Sequence, residues 1–80
     1  GLNTVIFEGS PVIDEMVFNG CYSLREVIFN GGREQIRGEL FSTDNNPGQT
    51  MQQKVIFRVK RHSGAETYAK NHALNYKYIN

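Results

Sequence analysis

The tripeptide Val-Ile-Phe occurs three times in this chain of 80 residues, at 5–7, 27–29 and 55–57. The first two copies stand 22 positions apart, and each is preceded by a leucine, at positions 2 and 24. Two further matched pairs recur at an interval one position longer: Ile13 with Ile36, and Phe18 with Phe41. Recurrence at a nearly fixed interval indicates stacked structural units, because a unit of this size cannot bury an apolar face alone.

Each Val-Ile-Phe copy lies in a short β-branched and aromatic run bounded by Gly or polar residues, which predicts three strands. The third copy begins 28 positions after the second, so about five residues are inserted. We assign the insertion to the turn-forming segment STDNNPGQT at 42–50. The single domain then divides into repeat 1 at 2–23, repeat 2 with its insertion at 24–53, and a final strand plus cap at 54–80.

The pattern changes after the third strand. The sequence SGAE at 63–66 fits a capping box, in which the serine side chain accepts from the glutamate backbone and the glutamate side chain reaches back. We predict a helix of about two turns that ends near 71–72, with Tyr68 and Ala69 facing the core. Alternation of apolar and polar residues over 74–78 predicts a final strand.

Composition excludes several classes of function. Nine Lys and Arg against eight Asp and Glu give a net charge of +1, too weak a field to indicate a nucleic-acid partner, so the basic run at 58–62 is interpreted as a solvated turn. Cys21 stands alone, which excludes an internal disulfide and the cysteine-rich zinc ligand sets. No apolar run approaches the roughly 20 residues of a membrane helix, so no membrane insertion is expected.

Two segments carry a resemblance to a known family. The block I-x-x-x-x-F-x-G-C-x-S-L-x-x-V-x-F, at 13–29, closely resembles the BspA-like leucine-rich repeats of bacterial cell-surface and secreted proteins. The tail SGAETYAKNHALNYKYI, at 63–79, resembles the ending of bacterial arrays of this type, with Ala73 where that ending has glycine. The second unit lacks the Gly-Cys-x-Ser-Leu segment.

The resemblance implies an α/β repeat fold, a solenoid in which short parallel strands form leucine-rich-repeat coils and one short helix and a final strand cap the C-terminal end. It implies an extracellular or cell-surface location. It also implies that this chain is the C-terminal part of a longer array, so the first strand has an open edge through which copies self-associate. The residues expected to face inward are Leu2, Val5, Phe7, Leu24, Val27 and Phe29 on the strand side, and Ile13, Phe18, Ile36 and Phe41 on the other.

The intervening strand residues face outward in this fold and align in columns. The three columns are Thr4 with Glu26 and Lys54, Ile6 with Ile28 and Ile56, and Glu8 with Asn30 and Arg58. Seven of these residues form the candidate partner-binding face: Ile6, Ile28, Ile56, Glu8, Glu26, Lys54 and Arg58. Two explanations of the isoleucine column stay open, namely strand propensity alone and a stripe that binds a partner.

The residues with reactive or metal-binding side chains are few, and their spacing matches no catalytic or ligand motif. They are Cys21, His62, His72, Asp14, Glu15 and Asp44. We therefore expect no catalytic residues, no metal site and no cofactor. The DNN sequence at 44–46 lacks the spacing of a calcium loop and is explained by turn formation.

Cys21 is better explained by structure than by reactivity. Gly20 can adopt the backbone conformation of a tight corner, and Ser23 can hydrogen-bond local backbone there. A cysteine behaves as a small hydrophobic residue in a crowded interior. We predict that Cys21 marks the corner that precedes the strand beginning near Leu24.

Two functional hypotheses follow. The first is a non-catalytic interaction module that binds a protein or glycan partner through the outward face and mediates adhesion. The second is a purely structural cap, which ends the solenoid while upstream repeats carry recognition.

Overall fold

The computed structural model describes residues 3–18, 20–21, 23–41 and 53–79. Its elements in chain order are β1 Thr4–Phe7, β2 Val12–Ile13, β3 Glu26–Phe29, β4 Gln35–Ile36, β5 Ile56–Val59, α1 Gly64–Asn71 and β6 Tyr76–Tyr78. Within these ranges the strands form a four-stranded sheet of order β1-β3-β5-β6 and a two-stranded sheet of β2 and β4. Every described pairing is parallel, so the described residues form a small α/β domain with parallel strands and the short helix α1.

The strands of the first two units pair as the matched positions of the sequence predict. Val5 lies opposite Val27 in the larger sheet, and Ile13 lies opposite Ile36 in the smaller one. The rings of Phe18 and Phe41 are also in contact, with centroids 5.7 Å apart. Residues separated by one repeat interval in the sequence are therefore neighbours on adjacent strands.

The register of β5 differs from the prediction. Ile56 lies opposite Glu26, and Arg58 lies opposite Ile28, whereas alignment of the Val-Ile-Phe copies had placed Ile56 opposite Ile28. The predicted isoleucine column is therefore wrong for Ile56, because β5 is shifted by two positions along β3, whereas Ile6 lies opposite Ile28 as predicted. Such a shift keeps every side chain on its own face of a strand, so burial of Val55, Phe57 and Val59 fits both registers.

The core lies between the two sheets and α1. Phe7, Phe29 and Phe57 stack across the larger sheet, with ring centroids 5.4 and 6.2 Å apart and interplanar angles of 13° and 15°. Predicted inward residues are buried in the middle of the fold, including Leu24, Val27, Phe29, Ile13, Phe18 and Phe41. Val5 and Phe7 are only half-buried, because β1 forms an edge of the sheet. Leu2 and the predicted insertion at 42–50 lie outside the described residues.

Two turns show why particular residues are needed there. Gly20 has a φ of +86°, which confirms its predicted role in a tight corner. The following residue, Cys21, packs against the core while keeping part of its surface exposed, and its carbonyl accepts from Leu24 N at 3.1 Å. Gly31 touches the equivalent turn of the first unit, since a Cβ there would lie 1.8 Å from Gly9 O.

The helix begins close to the predicted position. Ser63 Oγ accepts from Glu66 N at 3.0 Å, as the capping box requires. The Glu66 carboxylate accepts from the backbone N–H of His62 at 3.0 Å, one residue earlier than in the standard motif. Tyr68 and Ala69 face the core, as predicted.

A buried carboxylate also holds the start of α1. Glu34 is 3% exposed, and its side chain accepts from Gly32 N at 3.0 Å and from Ala65 N at 3.3 Å. A carboxylate at this place satisfies free N–H groups of the first helical turn and complements the helix dipole. Gly64 is needed beside it, because a Cβ there would lie 2.0 Å from Glu34 O.

The helix ends in a Schellman motif. Leu74 N donates to Ala69 O at 2.9 Å, and Ala73 N donates to Lys70 O at 3.4 Å. Ala73 has a φ of +54°, in the left-handed region that glycine adopts without a Cβ penalty. Ala73 stands where the similar array endings carry glycine, and its backbone has the conformation that glycine adopts most easily.

Replacing Ala73 by glycine is expected to stabilise the protein by roughly 0.5–1 kcal/mol, since relief of the left-handed strain exceeds the added entropy of the unfolded chain. Urea denaturation measures the change. Ala65→Gly is the control, because Ala65 lies inside α1 and is buried, so glycine there must destabilise. If Ala73→Gly were no more stable than the native protein, the left-handed strain at Ala73 would be contradicted.

Candidate binding face of the parallel sheet

The face of the larger sheet that points away from the core contains two rows of side chains that cross the strands. One row runs through Thr4, Glu26 and Ile56. The other, called here the central row, runs through Ile6, Ile28, Arg58 and Lys77. The two-residue shift of β5 therefore replaces a row of three isoleucines by two isoleucines followed by two cations.

The apolar half of the central row is accessible. Ile6 is 57% exposed on the edge strand, and Ile28 is half-buried between its neighbours. Ile56 is also half-buried, but it lies in the other row beside Glu26. The candidate isoleucines are therefore distributed over both rows.

The charged candidates interact with one another across strands. Arg58 Nε donates to the Glu26 carboxylate, which lies diagonally across from it on β3. The two side chains are 39% and 28% exposed, so the pair contributes at most about 1 kcal/mol and acts mainly to fix their positions. Asn30 Nδ2 donates to Glu8 Oε1 at 3.1 Å near the end of the same face.

Lys54 lies outside the strands and beside a cleft at the starts of β5 and β6. The cleft has a volume of about 560 Å³. Its lining residues are Gln53, Lys54, Ile56, Leu74, Asn75, Tyr76 and Lys77. The cleft thus brings together Lys54 and Ile56, two of the seven candidate residues. The prediction had placed them in different columns.

A second and smaller cavity of about 270 Å³ lies where α1 faces β4. Its lining includes Thr67 and Asn71 from α1 and the C-cap residue His72. His72 is occupied in packing, since its ring stacks on Tyr68 at 4.0 Å between centroids. Burial raises the pKa of Tyr68, and its hydroxyl accepts from Leu40 N at 3.0 Å.

The reactive residues are dispersed. Cys21 packs against the core, and His62 lies exposed in the turn before α1, while Asp14 and Glu15 are exposed in the first unit. In the described ranges, no three His, Cys, Asp or Glu side chains are grouped so that they could hold a metal ion. Asp44 and the 44–46 sequence lie outside those ranges.

The basic run at 58–62 is used largely for intramolecular contacts, which the sequence did not reveal. Arg58 binds Glu26, and the Arg61 guanidinium lies over the Tyr78 ring, 4.0 Å from its centroid. Cation–π contact with an aromatic ring requires knowledge of which strand lies beside which, so spacing alone could not predict it.

The Tyr78 hydroxyl also donates to the Glu66 carboxylate, which joins β6 to the start of α1. This hydrogen bond lowers the pKa of Glu66, aided by the His62 N–H and Lys70 and opposed by partial burial. The same bond, with partial burial and the Glu66 charge, raises the pKa of Tyr78 to about 12. The pair stabilises the fold when Glu66 is ionised and Tyr78 is neutral.

No helix in the described part of the chain has the length and apolar character needed to cross a membrane. No family model matches the chain, and no curated protein or solved structure is significantly similar to it. The functional interpretation therefore depends on the geometry and on the sequence pattern.

Replacing Tyr78 by phenylalanine is expected to reduce the pH dependence of stability at both extremes. Stabilisation through Glu66, whose folded pKa is lowered, is present above its ordinary pKa of 4.5 and is lost as the pH falls below it. Stabilisation through Tyr78 is present below pH 10 and is lost as the pH rises towards about 12.

Urea denaturation across both pH ranges measures the effect. Tyr76→Phe is the matched control, since the hydrogen bond to the Glu66 carboxylate comes from Tyr78. Identical pH profiles for native protein and Tyr78→Phe would contradict the role of this pair.

Proposed function

We propose that this chain is a non-catalytic interaction module of leucine-rich-repeat type, in which successive coils form a solenoid closed by α1 and β6. Equivalent residues of the two units pair in two separate parallel sheets, Val5 with Val27 and Ile13 with Ile36, which supports the solenoid. The resemblance at 13–29 and 63–79 supports the family, together with an extracellular or cell-surface location. The module binds a protein or glycan and has no nucleic-acid partner.

The central row is the observation that carries this proposal. Two accessible isoleucine side chains share a row with two cations: Ile28 lies opposite Arg58, and Lys77 follows on the next strand. Binding surfaces commonly combine an apolar centre with charged groups that orient the partner. Strands supply such a surface at fixed spacing and with little loss of conformational freedom, which favours recognition over catalysis.

The test is binding to an array of glycans and purified secreted proteins, followed by substitution of the central row. Ile6→Thr with Ile28→Thr is expected to weaken binding at least about tenfold, because apolar contact area is lost while strand propensity is retained. Val12→Thr with Val17→Thr is the control, since both residues are exposed and lie off this face.

Thermal unfolding verifies that both double variants fold. Equal weakening by the two pairs, or no retained ligand in the whole array, would refute the proposal.

Binding by a longer protein that is unchanged by the Ile6 and Ile28 substitutions would favour the alternative, a purely structural cap. The packing of Ala65, Ala69 and Leu74 in the core supports that alternative, because α1 and the segment after it close one end of the sheet.

The opposite end of the sheet supports self-association. The exposed large apolar residues of the described ranges all lie in the first unit: Ile6, Val12, Met16 and Val17. Among the described strands, β1 and β2 are edges of their sheets, so each has backbone groups on one side that no described strand pairs with. We propose that a second copy covers this end through strand pairing.

Light scattering is expected to give a mass above the 9.1 kDa of one chain, rising with protein concentration. Thr4→Lys with Val12→Lys should restore the single-chain mass, because lysine on an edge strand opposes strand addition. Gln35→Lys is the control, because β4 is the second-unit strand of the smaller sheet and lies outside the first unit. A single-chain mass for the native protein at high concentration would refute self-association.

A further inference from the structure

The cleft at the starts of β5 and β6 lies apart from the central row, except that Lys77 borders both. Its volume of about 560 Å³ lies within the range of roughly 300–1,000 Å³ that is typical of small-ligand sites. Buried Leu74 and half-buried Ile56 supply its apolar wall. Polar and charged side chains make up the remainder of the lining.

The positive charge of Lys54 and Lys77 is the first feature of the cleft that indicates which kind of ligand it could bind. Within the described ranges, the ion pairs join Arg58 to Glu26 and Lys70 to Glu66, and neither pair includes Lys54 or Lys77. Among the described residues that line the cleft, none carries a carboxylate. Two exposed ammonium groups in such a lining favour an anion and disfavour a metal cation.

The amide and aromatic groups narrow the ligand further. Asn75 Nδ2 donates to the carbonyl of Gln53, which fixes the Asn75 side chain and leaves its oxygen as an acceptor. The Gln53 side chain offers a donor and an acceptor, which suit hydroxyl groups. Tyr76 packs against the core and against the Tyr78 ring, and its exposed part lines the cleft, where it offers apolar contact suited to the C–H groups of a sugar.

Other anions fit less well. A nucleic acid requires an extended basic groove, whereas the chain has a net charge of only +1 and the cleft holds two cations. An acidic peptide would use the two lysines but would leave the amides and the tyrosine ring without a specific role. A sugar that carries an acidic group uses all of them.

We propose that this cleft binds an acidic saccharide, whose carboxylate or sulfate is held by Lys54 and Lys77 and whose ring lies against Tyr76. The inference builds on the proposed function by naming one ligand class and its place. Charge attraction supplies affinity and orientation, and the amides bind hydroxyl groups.

Isothermal calorimetry at low salt tests the proposal with four probes: trigalacturonate, a sulfated heparin disaccharide, neutral maltotriose and hexaglutamate peptide. At least one acidic saccharide is expected to bind, and binding should weaken as salt screens the lysines. The first two probes distinguish a carboxylated from a sulfated source. Maltotriose and hexaglutamate should bind at least about tenfold more weakly, because each lacks half of the required groups.

Lys54→Gln with Lys77→Gln is expected to weaken saccharide binding at least about tenfold. Arg33→Gln with Arg37→Gln is the control: it removes the same charge from positions outside the cleft. Equal weakening by both pairs, binding of hexaglutamate as tight as that of the saccharides, or binding of neither acidic saccharide would overturn the proposal.

Ile6→Thr with Ile28→Thr separates this site from the central row. The pair should leave acidic-saccharide binding unchanged, because neither residue lines the cleft. Failure of the cleft with retained binding at the central row would refute only this inference. Loss of array binding with retained saccharide binding would refute only the central row.

Discussion

Stacking of phenylalanine rings across parallel strands is the interaction on which the rest of the structure depends. Phe29 lies between Phe7 and Phe57 with nearly parallel rings on both sides, and it is 1% exposed. Because each of these strands has only four residues, backbone pairing alone would be marginal, and the aromatic contacts hold successive units together. Both the outward rows and the cleft take their geometry from this packing.

The sequence predicted this framework well because the framework is repetitive. Recurring identity of residue type located partners such as Val5 with Val27 from the chain alone. The capping signals around Ser63 located α1 for a similar reason, since they depend on neighbours within one helical turn. The repeat interval is periodic and the capping residues are near neighbours, and both kinds of pattern can be recognised in a single sequence.

The candidate site was predicted less well, because it depends on the register of β5 after a non-repeating segment. Apolar residues alternate at Val55, Phe57 and Val59, so two registers satisfy burial equally and only the three-dimensional packing distinguishes them. Contacts of Glu34 with Ala65, and of Tyr78 with Glu66, join residues with no pattern in common. Such contacts arise from the tertiary fold and have no signature in spacing.

The strand pairings also determine how the chain must fold. Every described pairing joins residues at least 19 positions apart, from Phe57 with Tyr76 to Glu26 with Ile56, and none of these pairings is a hairpin. Closing such loops costs entropy before any sheet contact is gained, so folding is expected to take milliseconds to seconds rather than microseconds. The backbone hydrogen bonds of α1 join near neighbours in the chain, so this helix can form early. We therefore expect the earliest stable nucleus to contain α1 docked on β5.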